Sequence, residues 1–230
     1  MRAADIRILF NSVAAKYDLN NRLLSIGTDT YWRRKAIEQL QDILPERILD
    51  VATGTADLAI ASMYYRPHTV VGVDISKRML ELGCIKITKL RLNSIISFIF
   101  GKAEILPFQS DEFDAAITSF GVRNFEDLEQ ALAEMHRILR KGGKLVVLEF
   151  SRPESSPNKQ IYAFILRKIF PWIGKFVSRK STAYSHYLPQ TILRVPQGKD
   201  FLNILKKVGF SQTAQLELTF GIISIYSGVK

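Results

Sequence analysis

The stretch ILDVATGTADLAI, Ile48 to Ile60, decides how the rest of this 230-residue chain is to be read. Ile48, Leu49 and Val51 are the apolar residues of a buried strand. Thr53, Gly54, Thr55 and Ala56 follow as a turn of small residues, and Asp57 is placed to cap a helix that begins at Leu58. A turn without bulk lets a ligand come close to the backbone, and the open N–H groups of the first helical turn face it.

Downstream, strand and helix patterns alternate. Thr69 to Val73 is a second strand ending in Asp74, and Ser76 caps a helix through Arg91 whose apolar face is Met79, Leu82 and Ile85. Ile95 to Phe100 and Phe113 to Ser119 are further strands. Leu128, Leu132, Met135 and Leu139 fall on one helical face; Lys141, Gly142 and Gly143 end that helix, and Lys144 to Phe150 is a fifth strand. Residues 151 to about 198 break the alternation, with a basic, aromatic-rich stretch interrupted at Pro171. The helix Asp200 to Val208 and two segments, Gln212 to Leu218 and Gly221 to Gly228, close the chain as an antiparallel pair at the sheet edge.

Upstream, Ile6, Leu9, Phe10, Val13 and Tyr17 recur at helical spacing, and a further helix runs from Tyr31 to Leu44. The pattern predicts an α/β fold with a doubly wound, mostly parallel seven-stranded Rossmann-like sheet, an antiparallel edge strand and an N-terminal helical cap. One domain over 1–230 is expected: a helical cap (1–45), a cofactor-binding half (46–151), a substrate- or membrane-facing insertion (152–198), and a closing helix with edge strands (199–230). The polar-aromatic group Tyr17, Asp18, Asn20 and Asn21 fits a lid over a site.

Composition narrows the chemistry. An apolar content of 47% supports a substantial core. A single cysteine, Cys84, excludes a disulfide framework, and His68, His136 and His186 have no metal-ligand spacing, so no metal site is expected. No signal peptide or membrane span of ~20 apolar residues is visible, which points to the cytoplasm. The formal charge of +10 suits an anionic lipid surface better than nucleic acid, because no aromatic-interleaved RNA motif accompanies it.

In an open α/β sheet the ligand binds beyond the carboxyl ends of the strands, where strand order reverses. Asp74, 20 residues past Gly54, is spaced to accept hydrogen bonds from ribose hydroxyls. GxGxxG and a phosphate-loop lysine are both absent, which counts against dinucleotides and nucleoside triphosphates. S-adenosylmethionine, a nucleoside joined to an amino acid without phosphates, fits better.

The runs DVATGTAD, VVGVDIS and GKAEILPFQSDEFDAAITSFGVRNFEDLEQALAEMHRILRKGGKLVVLEFSRP resemble a class I methyltransferase. With FNSVAAKYDLNNRLLSIGTDTYWRR, AYSHYLPQTILRVP and GIISIYSGVK, the chain is similar nearly throughout to the MenG/UbiE family, which methylates a ring carbon of demethylmenaquinol and, in some bacteria, of a ubiquinone precursor. The resemblance implies S-adenosylmethionine as methyl donor, bound at Thr55, Asp74, Lys102, Ala103 and Ser119. Two positions depart from the family, which often has Gly at Ala56 and Asp or Asn at Lys102. Close approach at Ala56 is expected to survive if its φ is negative.

The same resemblance implies a polyprenyl quinol partner. Arg123 and Asn124, just after the fourth strand, are the leading candidates to hold a quinolate oxygen, a salt bridge of Arg123 to Glu126 or Asp127 being the structural alternative. Glu149 and Tyr187, with His186 behind them, are candidates for proton handling. The basic, apolar stretch Ile161 to Lys180 suits either an anionic membrane surface, at the inner face of the cytoplasmic membrane, or packing on the sheet. The acceptor's identity and a homodimer stay open. A methyltransferase for another small aromatic, a nucleic-acid-binding protein and a silent interaction subunit are the rivals.

Overall fold

A computed structural model describes residues 3–14, 17–25, 27–153, 191–192 and 194–230. Its centre is a seven-stranded sheet in the order β3-β2-β1-β4-β5-β7-β6. The strands are β1 (Arg47–Val51), β2 (Thr69–Asp74), β3 (Ile96–Phe100), β4 (Phe113–Ser119), β5 (Leu139–Phe150), β6 (Ser211–Leu218) and β7 (Ile223–Val229). The first five run parallel; β7 pairs antiparallel with both β5 and β6. The antiparallel strand therefore lies one place in from the edge, and β6 forms the edge itself.

Burial on both faces explains the continuous apolar runs. Along β1, Leu49 and Val51 join the core beneath α6 (Leu128–Ile138) and α7 (Lys199–Val208). Ile48 joins the opposite core with Trp32 and Ile37 of α3 (Asp29–Glu38) and Leu58 of α4 (Asp57–Ser62). Ile6, Phe10 and Val13 of α1 (Ala3–Val13) pack on Met79 of α5 (Lys77–Lys89), next to Tyr17 at the start of α2 (Tyr17–Leu24). Among the described residues no helix is long and apolar enough to cross a membrane.

Three local readings are corrected. Ile85 is exposed, and the buried face of α5 is Met79, Leu80, Gly83 and Ile87. Lys141 to Gly143 do not separate a helix from a strand. α6 passes directly into β5 at Leu139, and the backbone of Gly142 and Gly143 pairs with Lys230 at the chain's end. The N-cap of α4 is Ala56, not Asp57. Ala56 has no side-chain acceptor, so the buried Asp50 of β1 takes over, accepting from Ala59 N–H at 3.1 Å. The expected cap at Ser76 forms, its hydroxyl accepting from Met79 N–H at 3.2 Å.

Candidate active site

β1 lies where the strand order reverses, and a cleft of about 690 Å³, counting space open to solvent, lies beyond the carboxyl ends of β1 to β4. Gly54 and Asp74 form one wall, Lys102 and Ala103 a second, and Ser119, Phe120 and Gly121 a third. Ile6, Phe10 and Tyr17 close it from the N-terminal helices.

The turn after β1 alternates in handedness. Ala52, Gly54 and Ala56 have φ of 58°, 56° and 72°. The condition set for Ala56, a negative φ, is therefore not met. This alternation turns successive N–H groups to one side, as in a backbone nest, and it strains the two alanines by ~1–2 kcal/mol each. Asp74 accepts from Gly54 N–H at 2.8 Å and from Ser76 N–H at 2.7 Å, which locks the two turns together. Burial pushes its carboxyl up to about 6 against these N–H groups. Asp50, behind the turn, is pushed by burial up to about 7, opposed by the Thr53 hydroxyl and Ala59 N–H.

Gly121 is required by space. A Cβ there would stand 2.8 Å from both Ala52 Cβ and Thr118 Oγ1. The end of β4 thus packs directly on the turn after β1. Phe120, in a left-handed conformation at φ 56°, is buried against Trp32 and Phe150.

Not every anticipated residue is on the wall. Asp74, Lys102, Ala103, Ser119 and Asn124 line the cleft. The Lys102 ammonium is 3.2 Å from Glu126 Oε2, so this departure from the family pattern carries its own counter-charge. Thr55 differs: its hydroxyl donates to Asp18 Oδ1 at 2.5 Å and accepts from Lys86 at 3.2 Å, so it is committed away from the cleft.

Arg123 pairs with Glu149 at 2.5 Å, not with Glu126 or Asp127, and both side chains are about 2% exposed or less. Asp127 instead caps α6 through Gln130 N–H. Arg123 also lies over the Phe120 and Phe150 rings, 5.8 and 5.4 Å from their centroids. The two candidates therefore act as one buried pair. Asn124 leads from it into a second, more polar cleft shared with Ile6, Phe125 and Glu126. Tyr17 is the residue whose role the sequence only hinted at. Burial raises its hydroxyl above the usual tyrosine range, while Arg123 and a hydrogen bond with Asn21 pull it down. His186, Tyr187 and the 161–180 stretch lie outside the described residues.

The wall set suits a nucleoside without phosphates. It offers a half-buried carboxylate, a small-residue turn, apolar Met79 and Phe125, and a lysine already neutralised. Comparison with known proteins gives the same direction. The model of the ubiE/COQ5 methyltransferase family matches residues 1–230. A demethylmenaquinone methyltransferase from Bacteroides fragilis is 42% identical over 230 residues, spanning 100% of this chain and 94% of that protein. A ubiquinone/menaquinone biosynthesis C-methyltransferase UbiE from Citrifermentans bemidjiense is 43% identical over 227 residues, spanning 98% and 96%. Among solved structures, a possible histamine N-methyltransferase from Thermotoga maritima superposes with a TM-score of 0.64 at 20% identity, covering 96% of this chain and 98% of that one. At that identity it supports the fold alone.

Proposed function

Because the chain belongs to the ubiE/COQ5 methyltransferase family, we propose that it uses S-adenosylmethionine to methylate a ring carbon of a demethylated polyprenyl naphthoquinol, converting demethylmenaquinol to menaquinol. The observation that carries this reading is the meeting of two unlike walls. The Gly54–Asp74 nucleoside wall shares its cleft with Tyr17 and Asn124, and Asn124 follows directly on Arg123 of the buried Arg123–Glu149 pair.

S-adenosylmethionine supplies a methyl group already activated by its sulfonium, so the protein's task is to hold, orient and exclude water. Asp74 keeps acceptor sites for ribose hydroxyls after receiving Gly54 and Ser76 N–H. The Lys102–Ala103 backbone meets the adenine edge, and Ser119 lies beside the methionine portion. Thr55 contributes its backbone only, because its hydroxyl is already bound.

A quinol ring carbon becomes nucleophilic when a ring hydroxyl gives up its proton. Asn124 offers an amide donor to that oxygen, and Tyr17 lines the same cleft. The Arg123 charge acts through Tyr17 and not as a free cation, since Glu149 balances it. Glu149 is fixed by Arg123 and by Phe150 N–H at 2.8 Å and serves as the anchor of that pair.

The experiment is direct. Purified protein is incubated with methyl-labelled S-adenosylmethionine and either the demethylated naphthoquinol or the benzoquinol precursor of ubiquinone. Label should pass to the naphthoquinol ring; transfer to the benzoquinol alone selects the second reading, which the UbiE-named relative supports. Transfer to neither overturns both. For the tail-bearing substrate we further propose contact of the 161–180 stretch with anionic lipid, tested by flotation with anionic liposomes at low salt.

A further inference from the structure

Two polar ties join the N-terminal helices to the cofactor turns from outside the cleft. On α1, Asn11 Oδ1 accepts the Ser76 hydroxyl at 2.6 Å, two residues past Asp74. On α2, Asp18 is held by two donors, the Thr55 hydroxyl at 2.5 Å and the Lys86 ammonium at 2.7 Å. The same ammonium reaches Asp57 Oδ1 at 2.5 Å and Thr55 Oγ1 at 3.2 Å. One cation on α5 thus gathers a lid helix, the turn after β1 and the first turn of α4.

The charges around it are not symmetric. Arg33 already serves Asp29 and the far oxygen of Asp57, at 3.3 Å in the latter case. Asp57 therefore has a second cation, whereas Asp18 has Lys86 and the Thr55 hydroxyl. Asp18 follows Tyr17 in sequence, and the Tyr17 ring lies 4.0 Å from where a Cβ on Gly54 would stand. Where Asp18 is fixed, Tyr17 is fixed over the turn. Lys86 itself is not among the residues lining the cleft.

We propose that Lys86 is a positioning residue for methyl transfer: its ammonium clamps Asp18 to the Thr55 turn and so holds Tyr17 closed over bound cofactor. The clamp rests on the cofactor reading above. It explains why Thr55 faces away from the cleft: its hydroxyl is a bolt for the lid, and its backbone belongs to the turn.

The test has one readout that needs no cofactor and one that needs no turnover. Amide exchange across 17–24 is measured in the cofactor-free protein, and S-adenosylhomocysteine affinity by calorimetry. Lys86→Met should speed exchange in α2 and weaken binding about fivefold, the size of a partly exposed ion pair. Lys86→Arg should restore both. Asp18→Asn should move both readouts in the same direction as Lys86→Met, and the double variant should lose less than the sum of the two, because the Lys86–Asp18 pair is lost in each. In turnover, KM for S-adenosylmethionine should rise more than kcat falls. Unchanged α2 exchange and affinity in Lys86→Met, or additive losses in the double variant, overturn the proposal. Should Lys86→Met fail to fold, Asp18→Asn alone carries the same two readouts. Wild-type protein that binds no S-adenosylhomocysteine would sink the cofactor reading, while α2 exchange would still report on the clamp.

Discussion

The two sides of the cleft are built by different means. On the nucleoside side, backbone makes the site: the alternating turn at 52–56, the N–H groups of Gly54 and Ser76 on Asp74, and the glycine at 121 that lets β4 touch β1. On the lid and acceptor side, side chains make it, through pairs distant in sequence. Asp18 and Thr55 are 37 residues apart, Asn11 and Ser76 65, and Arg123 and Glu149 26. A backbone-built wall tolerates changes of side chain so long as chain path and volume survive. A wall built from side-chain pairs weakens when either partner goes, most of all where the remaining partner is buried, as Glu149 is.

The largest effect should come from the deepest pair. Arg123→Ala leaves the Glu149 carboxylate, 2% exposed, without its cation, a loss of about 3–5 kcal/mol for such pairs. Thermal unfolding should drop accordingly and turnover should collapse. The contrast is sharpened by Arg123→Met combined with Glu149→Gln, which removes both charges at once. Stability and S-adenosylhomocysteine affinity should largely return while methyl transfer stays lost. A double variant that turns over normally would reduce the pair to scaffolding and break the assignment of this side to the acceptor.

The backbone side should fail differently. Gly121→Ala puts a methyl 2.8 Å from Ala52 Cβ and Thr118 Oγ1, an overpacking cost of about 1–3 kcal/mol. Since it pushes the end of β4 away from the turn, cofactor affinity should fall with stability, and calorimetry alongside melting curves would show both. A smaller, reversible effect comes from pH. Burial holds Asp74 at about 6 in the free protein, and ribose hydroxyls need its charged form. Cofactor affinity should be flat above that value and fall towards about tenfold per pH unit below it. Asp74→Asn should bind weakly and lose the slope; a slope that persists would locate the titrating group elsewhere.

This division also marks what the sequence could reveal. Ile48 to Ile60 is strand, turn and helix in register with the apolar pattern, and the ends of β2 and β4 fall where Asp74 and Ser119 suggested. These features are local, so spacing discloses them. Lys86 sits on the polar side of an amphipathic helix, where nothing in the spacing separates a clamp from a solvated lysine. Arg123 had acidic neighbours at Glu126 and Asp127, yet its partner came from the adjoining strand, which only β4–β5 register brings near. Ile85 has the spacing of a core residue but faces water: the buried face of α5 runs through Gly83, which packs so closely on Phe98 that a Cβ placed there would stand 3.1 Å from the nearest ring carbon.

The smallest effect tests the strain in the turn itself. Ala56 is fully buried at φ 72°, a conformation that glycine adopts freely and alanine only at a cost of ~1–2 kcal/mol. The alanine methyl contributes some burial in return, and glycine would widen the unfolded ensemble, so the two effects partly cancel. Ala56→Gly should still raise stability, by about 1 kcal/mol or less, measured by denaturant unfolding with an unchanged slope. Affinity for S-adenosylhomocysteine should change little, because the side chain that caps α4 is that of Asp50 on the preceding strand, and Ala56 contributes only backbone at the N-cap. If Ala56→Gly instead destabilises the protein and loosens binding together, the methyl is a packing element of the turn. The nucleoside side would then depend on side-chain fit as the lid side does.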